Sequence, residues 1–213
     1  KKADSVAATV RATDVEMLHS LITKNLSTNE EKVRAFYSWI ANNIRYDVSE
    51  SMKSWKDNEK QEPDVVLNSK KAVCHGYSAL LMSLCHRSGI PCYLVSGYTR
   101  LGGRFDNAGH TWNLVYVNDK WQPVDVTWAA GGVSSQGRYI KEFTGRYFLP
   151  APQDFISDHL PFDPMWQLLF YPANAAEFKS TDFNYKELNK SYFNFNDTIA
   201  GWMRLDSLER EYT

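Results

Sequence analysis

Lys70-Lys71-Ala72-Val73-Cys74-His75-Gly76-Tyr77-Ser78-Ala79-Leu80-Leu81-Met82-Ser83-Leu84-Cys85 is the stretch on which the fold turns. A short polar approach leads to a cysteine, and the cysteine leads into an apolar run. Tyr77, Leu80, Leu81 and Leu84 recur at helical spacing and make one stripe to bury. Gly89 and Pro91 end the helix. Cys74 therefore lies in or next to the first turn, where unpartnered backbone N–H groups favour a thiolate over a thiol. A reactive cysteine placed there needs a base, and the base needs a group to orient it.

Both are offered downstream. Residues 92–99 are rich in Val, Tyr and Leu and read as a strand, followed by a loop over 100–109. Two further strands, 110–117 and 120–128, meet at Asn118-Asp119, a hairpin signal. With a two-residue turn there, Val117 faces Lys120, and counting outward Trp112 faces Asp125. His110 lies two residues from Trp112 on the same face. His110 and Asp125 then become diagonal neighbours roughly 7–8 Å apart, within reach of an imidazole and a carboxylate. A three-residue turn would separate them. Cysteine, histidine and aspartate in this arrangement follow the logic of a nucleophile, a base and an orienting acid.

Upstream of the cysteine the chain reads as helices. Asp14 begins a pattern through Val15, Leu18, Leu21 and Ile22, and Thr28-Asn29-Glu30-Glu31 reads as a capping box. Val33, Phe36, Tyr37, Ile40 and Ile44 form the apolar stripe of the helix that follows. Residues 46–61 read as a long loop containing Trp55, and Pro63 suits the start of a short helix over 64–69. A further strand is expected over 139–149. Prolines then punctuate short apolar clusters, and 199–212 reads as a terminal helix. Helices followed by an antiparallel meander define an α+β fold.

The remaining reactive side chains have plainer readings. Cys85 and Cys92 sit in apolar runs and read as packing residues. The Cys-His pairs at 74–75 and 85–86 lie 11 residues apart, about 16 Å along a helix, too far for one zinc ion. No metal and no cofactor is expected. His19 reads as a surface or packing histidine, and His159, among Phe155, Leu160 and Phe162, as a structural one. Asp125, between Val124 and Val126 in a strand, would be costly to bury without a partner such as His110.

The chain has 213 residues, 43% hydrophobic and 23% charged, with a net charge of -1. These values fit a globular fold with one sizeable core and offer no electrostatic footprint for nucleic acid. No apolar run is long enough to span a bilayer. Three cysteines, an odd number, do not make a disulfide framework.

Ala72-Val73-Cys74-His75-Gly76-Tyr77-Ser78 resembles the nucleophile motif of transglutaminase-like cysteine enzymes. Asn43-Ile44-Arg45-Tyr46-Asp47, Gly109-His110-Thr111-Trp112-Asn113 and Val124-Asp125-Val126-Thr127-Trp128 resemble their companion blocks, in the same order. Tyr147-Phe148-Leu149-Pro150, Phe155, His159-Leu160-Pro161 and Trp166-Gln167-Leu168-Leu169 resemble the segment after the core in the kyphoscoliosis-peptidase-like branch. The likeness covers residues 33–170. It implies a papain-like core with the cysteine helix packed on an antiparallel sheet. It also implies acyl transfer through a thioester, with Cys74 as nucleophile, His110 as base and Asp125 as orienter. Ala72 departs from the Gly usual before Val-Cys, and His75 replaces the usual Gln or Glu. No calcium motif of the animal transglutaminases is visible.

The expected organisation is a catalytic domain over 1–170, with a core of about 30–150 and a branch-specific extension to 170. Residues 171–213 would pack on that core or lead to a further domain. The Cys74 N–H is a natural oxyanion donor, with Asn68 or Trp55 as the second. His75 either lines the cleft or faces solvent, and Trp112 is a further cleft candidate. The expected reaction is hydrolysis of peptide or isopeptide amides on a protein or peptide substrate. Protein-glutamine cross-linking is the alternative, and a non-catalytic binding or scaffold module is the rival from another class. The chain begins at Lys1 rather than Met, which with the family's habits gives the expectation of a processed bacterial protein. Its place would be extracytoplasmic: secreted, periplasmic or in the cell envelope.

Overall fold

The computed structural model describes residues 2–53 and 59–188. Three helices come first: α1 (Lys2–Thr9), α2 (Val15–Thr23) and α3 (Asn29–Asn43). Asp14 caps α2 by accepting from the Met17 N–H, and Thr28 with Glu31 forms the capping box of α3. The apolar stripe of α3 is buried, Val33, Phe36 and Ile40 completely. The sequence gives no warning of α1, which packs on α3 through Ala3 and Ala7.

Strand β1 (Arg45–Tyr46) and the short helix α4 (Val48–Ser51) follow. The stretch expected as a long loop thus holds α4 and a 3-10 turn at Glu59–Gln61. Asp47 caps α4, so polar residues that break the apolar pattern here build a turn of helix. Trp55 and the helix expected over 199–212 lie outside the described residues. Helix α5 (Pro63–Ser69) has its proline in the first turn, and Lys70 ends it in the left-handed conformation. Strand β2 (Lys71–Ala72) then pairs in parallel with β1 and leads into α6 (Cys74–Arg87).

The sheet follows: β3 (Cys92–Leu101), β4 (Arg104–Val117) and β5 (Lys120–Val124), then helix α7 (Val126–Ala130). A small hairpin, β6 (Gly131–Val133) with β7 (Tyr139–Lys141), precedes α8 (Pro152–Phe155) and β8 (His159–Pro161). Helices α9 (Ala175–Lys179) and α10 (Tyr185–Leu188) end the described chain. The main sheet is antiparallel in the order β5-β4-β3-β8.

Val117 pairs with Lys120 across Asn118-Asp119, both of which have positive φ, as a two-residue primed turn requires. The expected loop over 100–109 is instead a tight β3–β4 hairpin. Gly102 and Gly103, both with positive φ, let the chain reverse within two residues. The register shifts where Asn107, Ala108 and Gly109 stand opposite Tyr98 alone, a bulge that ends just before His110. The strand expected over 139–149 is cut to β7, after which the chain touches the sheet at the Val124–Phe148 bridge.

Successive residues of β4 serve two cores. Val115 and Val117, with Cys92 of β3, join the helical core around α3 and α6. Trp112 and Leu114, with Val95, join an aromatic core with Tyr147 and Phe155 on the other face. A third cluster ties Phe178 and Tyr185 to Ile156 and Leu160 of the β8 region.

Candidate active site

Helix α6 is fixed to the sheet close to its cysteine. The Ser78 hydroxyl donates to the Thr111 carbonyl, and the Asn113 amide donates to the Ser78 carbonyl, each at 3.1 Å. The Tyr77 hydroxyl donates to the Ile44 carbonyl at 2.9 Å. Ahead of the helix, Gln61 Oε1 accepts the Val73 N–H at 3.1 Å. Gly76 leaves room for that amide, since a Cβ there would lie 2.5 Å from Gln61 Oε1. Cys74 follows immediately as the first residue of α6, partly exposed, with Val73 providing no side-chain cap.

Asp125 is wholly buried, and it lies in no strand: β5 stops at Val124. Aspartate is a strong helix N-cap, and its Oδ1 accepts from the Thr127 N–H (2.8 Å) and the Trp128 N–H (3.1 Å). That cap turns Oδ2 toward two histidines, His110 Nε2 at 2.7 Å and His159 Nε2 at 3.0 Å. All the acceptor directions of one buried carboxylate are thus occupied. The face count from the hairpin places His110 beside Trp112, and their ring centroids are 6.0 Å apart.

Charge states follow from these contacts. Burial opposes ionisation of Asp125, but the charge and hydrogen bond of His110, helped by His159, hold its carboxyl well below the usual range. Burial also opposes a charge on His110. Asp125 chiefly, and Cys74 after it, nevertheless raise it to about 10. For Cys74, burial pushes the thiol up, while the hydrogen bond and charge of His110 and the Thr111 backbone bring it below its ordinary value. With Nε2 committed to Asp125, the ring nitrogen left for the thiol is Nδ1. Tyr46 is pushed up to about 12, chiefly by burial and then by the charge of Cys74.

Cys85 and Cys92 are buried in the core, and burial, reinforced by Cys92, raises the Cys85 thiol. Among the described residues, His110, Asp125 and His159 have ligand atoms mutually within 4.8 Å, the spacing a metal would need. Their 2.7 and 3.0 Å contacts are hydrogen-bond lengths.

A cleft of about 860 Å³ opens beside His110, walled by Tyr46, the Gly102-Gly103 turn, Trp128, strand β6 and Tyr147. Trp112 does not line it. It is completely buried, and its Nε1 finds no hydrogen-bond partner among the described residues. Asn68 is exposed on α5 and donates to the Asp64 carbonyl at 2.9 Å, so its amide is engaged within its own helix. His75 is exposed to solvent. His159, read as structural from its apolar neighbours, touches the very carboxylate that holds His110. Its own Nδ1 meets Asp158 Oδ1 at 2.6 Å. The adjacent Asp158-His159 pair was the available signal, but only β8 brings it to Asp125.

A cysteine opening a helix, packed against an antiparallel sheet whose strand carries a histidine paired with an aspartate just past the next strand, defines a papain-like architecture, and this chain belongs to the transglutaminase-like superfamily, whose model matches residues 16–126. It is similar to the human kyphoscoliosis peptidase, 32% identical over 198 residues that cover 88% of this chain and 29% of that protein. It is also similar to Hillarin of Drosophila melanogaster, 28% identical over 84% of this chain and 24% of that one. The chain thus spans under a third of the length of these curated relatives. A solved transglutaminase structure aligns with 68% of this chain and 35% of its own, at 21% identity and a TM-score of 0.44.

Proposed function

We propose that this chain performs cysteine-dependent acyl transfer on peptide or isopeptide amides, with hydrolysis as the outcome. The observation that carries the reading is the His110–Asp125 pair, 2.7 Å apart with a fully satisfied carboxylate, set against a thiol that His110 draws below its ordinary value. Cys74 attacks the amide carbonyl carbon as the thiolate, forming a C–S bond. The Cys74 N–H, in the first turn of α6, is aimed at the developing oxyanion. The His110 imidazolium gives its proton to the leaving nitrogen, the C–N bond breaks, and a thioester remains. Water then attacks the thioester as His110 takes its proton, the C–S bond breaks, and the Cys74 thiolate leaves with the acid product, restoring the ion pair with the His110 imidazolium. Asp125 holds the ring orientation and stabilises the imidazolium throughout.

The test is alkylation of Cys74 by iodoacetamide as a function of pH, in the native chain and in His110→Ala. The native rate should stay high well below the free-thiol range of roughly 8.5, and His110→Ala should abolish that low-pH reactivity. A profile like that of a free thiol, indifferent to His110, would remove the basis for an enzyme and favour a binding or scaffold role. With the ion pair established, a glutamine-containing peptide offered with a primary amine separates the two acyl acceptors. Release of the acid supports hydrolysis, and amine incorporation supports cross-linking.

A further inference from the structure

His159 is buried completely, in edge strand β8, two strands away from His110 across β3. Gly97 of β3 makes this geometry possible. It pairs with His110 on one side and Pro161 on the other, and a Cβ there would lie 2.1 Å from the Leu160 carbonyl oxygen. The His159 ring is stacked on Phe155, with centroids 4.1 Å apart, and is closed in by Trp128, Trp112 and Tyr147. The ring therefore has one orientation.

In that orientation both nitrogens face carboxylate oxygens: Nε2 to Asp125 Oδ2 at 3.0 Å and Nδ1 to Asp158 Oδ1 at 2.6 Å. A neutral imidazole has one N–H, and its bare nitrogen would set a lone pair against a carboxylate. Two good hydrogen bonds call for a second proton, on the ring or on an acid. Arg146 and the Tyr147 hydroxyl both donate to Asp158 Oδ2, at 3.0 and 3.4 Å, so this oxygen already serves as an acceptor twice over. Asp125 is kept ionised by its cap N–H groups and by His110. The second proton therefore sits on the ring. The charged and titratable groups around His159 are Asp125 from the start of α7, Asp158 on its own segment, Tyr147, Arg146 behind Asp158, and His110 with its ring centroid 5.7 Å away.

We propose that His159 is a positioning residue of the cysteine site: a buried cation clamped between Asp125 and Asp158 that fixes the Asp125 carboxylate and shares its Oδ2 with His110. The inference rests on the acyl-transfer reading for its purpose, though not for its geometry. An Asp125 facing His110 alone would hold the imidazolium proton harder. With His159 as a second donor on the same oxygen and a cation nearby, His110 gives up its proton more readily. That suits a group that must protonate a leaving amine and then act as a base. The line from Cys74 to solvent runs through His110, Asp125, His159 and Asp158 to the exposed Arg146.

Histidine ¹⁵N NMR across a pH series tests this in the native chain, His159→Gln and Asp158→Asn, with near-ultraviolet circular dichroism confirming the fold of each. In the native chain both ring nitrogens of His159, assigned by their loss in His159→Gln, should carry protons at neutral pH. In Asp158→Asn the amide can donate to Nδ1, so the contact survives while the ring becomes neutral with its proton toward Asp125. Both variants should raise the proton affinity of His110 roughly tenfold, and the basic limb of any pH–activity profile should move up with it. A singly protonated His159 at neutral pH in the native chain, or a His110 affinity unchanged or lowered in both variants, overturns the proposal. A merely structural role would lower stability and leave the His110 titration in place. Because the titration needs no turnover, failure of the acyl-transfer reading would show in Cys74 alkylation while this result stood or fell separately.

Discussion

Replacing Cys74 with alanine should alter how stability depends on pH, and the site geometry sets the size of the effect. His110 keeps its proton to about pH 10 in the folded chain, against an ordinary value of 6.5. A raised value of this kind stabilises fully below 6.5, and the contribution is lost as pH rises through 10. Cys74 is shifted the other way, below its ordinary 9.0. Its contribution is present above 9.0 and lost as pH falls through the folded value. Above its folded value and up to pH 9 the native pair therefore holds one proton, as thiolate and imidazolium. The unfolded chain also holds one there, as thiol and neutral imidazole. Folding takes up no net proton at these two groups, and their contribution is flat. In Cys74→Ala the folded chain still holds the His110 proton through Asp125, whereas the unfolded chain holds none. Stability then falls by about 1.4 kcal/mol per pH unit, or about 3 kcal/mol from pH 7 to 9. That is a ceiling, because Cys74 itself contributes to the rise at His110. Urea unfolding of both proteins at pH 7, 8 and 9, followed by tryptophan fluorescence, measures the difference, and every other titrating group cancels. Parallel dependences in the two proteins would refute the thiolate–imidazolium pair, since a neutral thiol beside a neutral imidazole predicts no divergence.

Asp125→Asn keeps an oxygen for the Thr127 and Trp128 N–H groups but sets an NH₂ against His110 and His159. Alkylation of Cys74 at pH 6 should slow roughly hundredfold, and an unchanged rate would free His110 from dependence on Asp125. Gly97→Ala forces the Leu160 carbonyl and the Trp112 ring away from β3. Urea unfolding should show a loss of about 1–3 kcal/mol, and an unmoved midpoint would mean that β8 is not held as closely as the structure shows. Arg100 is buried, with its guanidinium on the carbonyls of Gly103, Phe178 and Ser180. Arg100→Met should cost about 2–3 kcal/mol and speed limited proteolysis within residues 178–188, and a native digestion pattern would contradict this clamp.

Much of the scaffold was legible from neighbouring residues alone. Asp14, the Thr28–Glu31 box, Pro63 and the Asn118-Asp119 turn each act on backbone within a few residues, so their chemistry is complete in the local sequence. The helical stripe around Cys74 and the period-two count from the hairpin carried the inference further, to a cysteine at a helix start and to His110 beside Trp112 on one face. Asp125 shows where local reading stops. Alternating apolar neighbours made it look like a strand residue, and strand geometry would have given the same partner. The actual cause is an N-cap that ends β5 and aims the carboxylate.

What tertiary structure alone decided is the company Asp125 keeps. His159 lies 34 residues away from it in sequence, on a strand of three residues whose pairing with β3 depends on the missing side chain of Gly97. No periodicity encodes that contact. It arises because a fully buried carboxylate requires its hydrogen-bonding positions filled, and the fold supplies the second histidine from the far edge of the sheet. Sequence by itself determined a cysteine at the start of its helix and the strand face on which His110 stands beside Trp112. Packing decided how many donors share one acceptor oxygen of Asp125, because that number depends on distances between segments that only the closed core brings together.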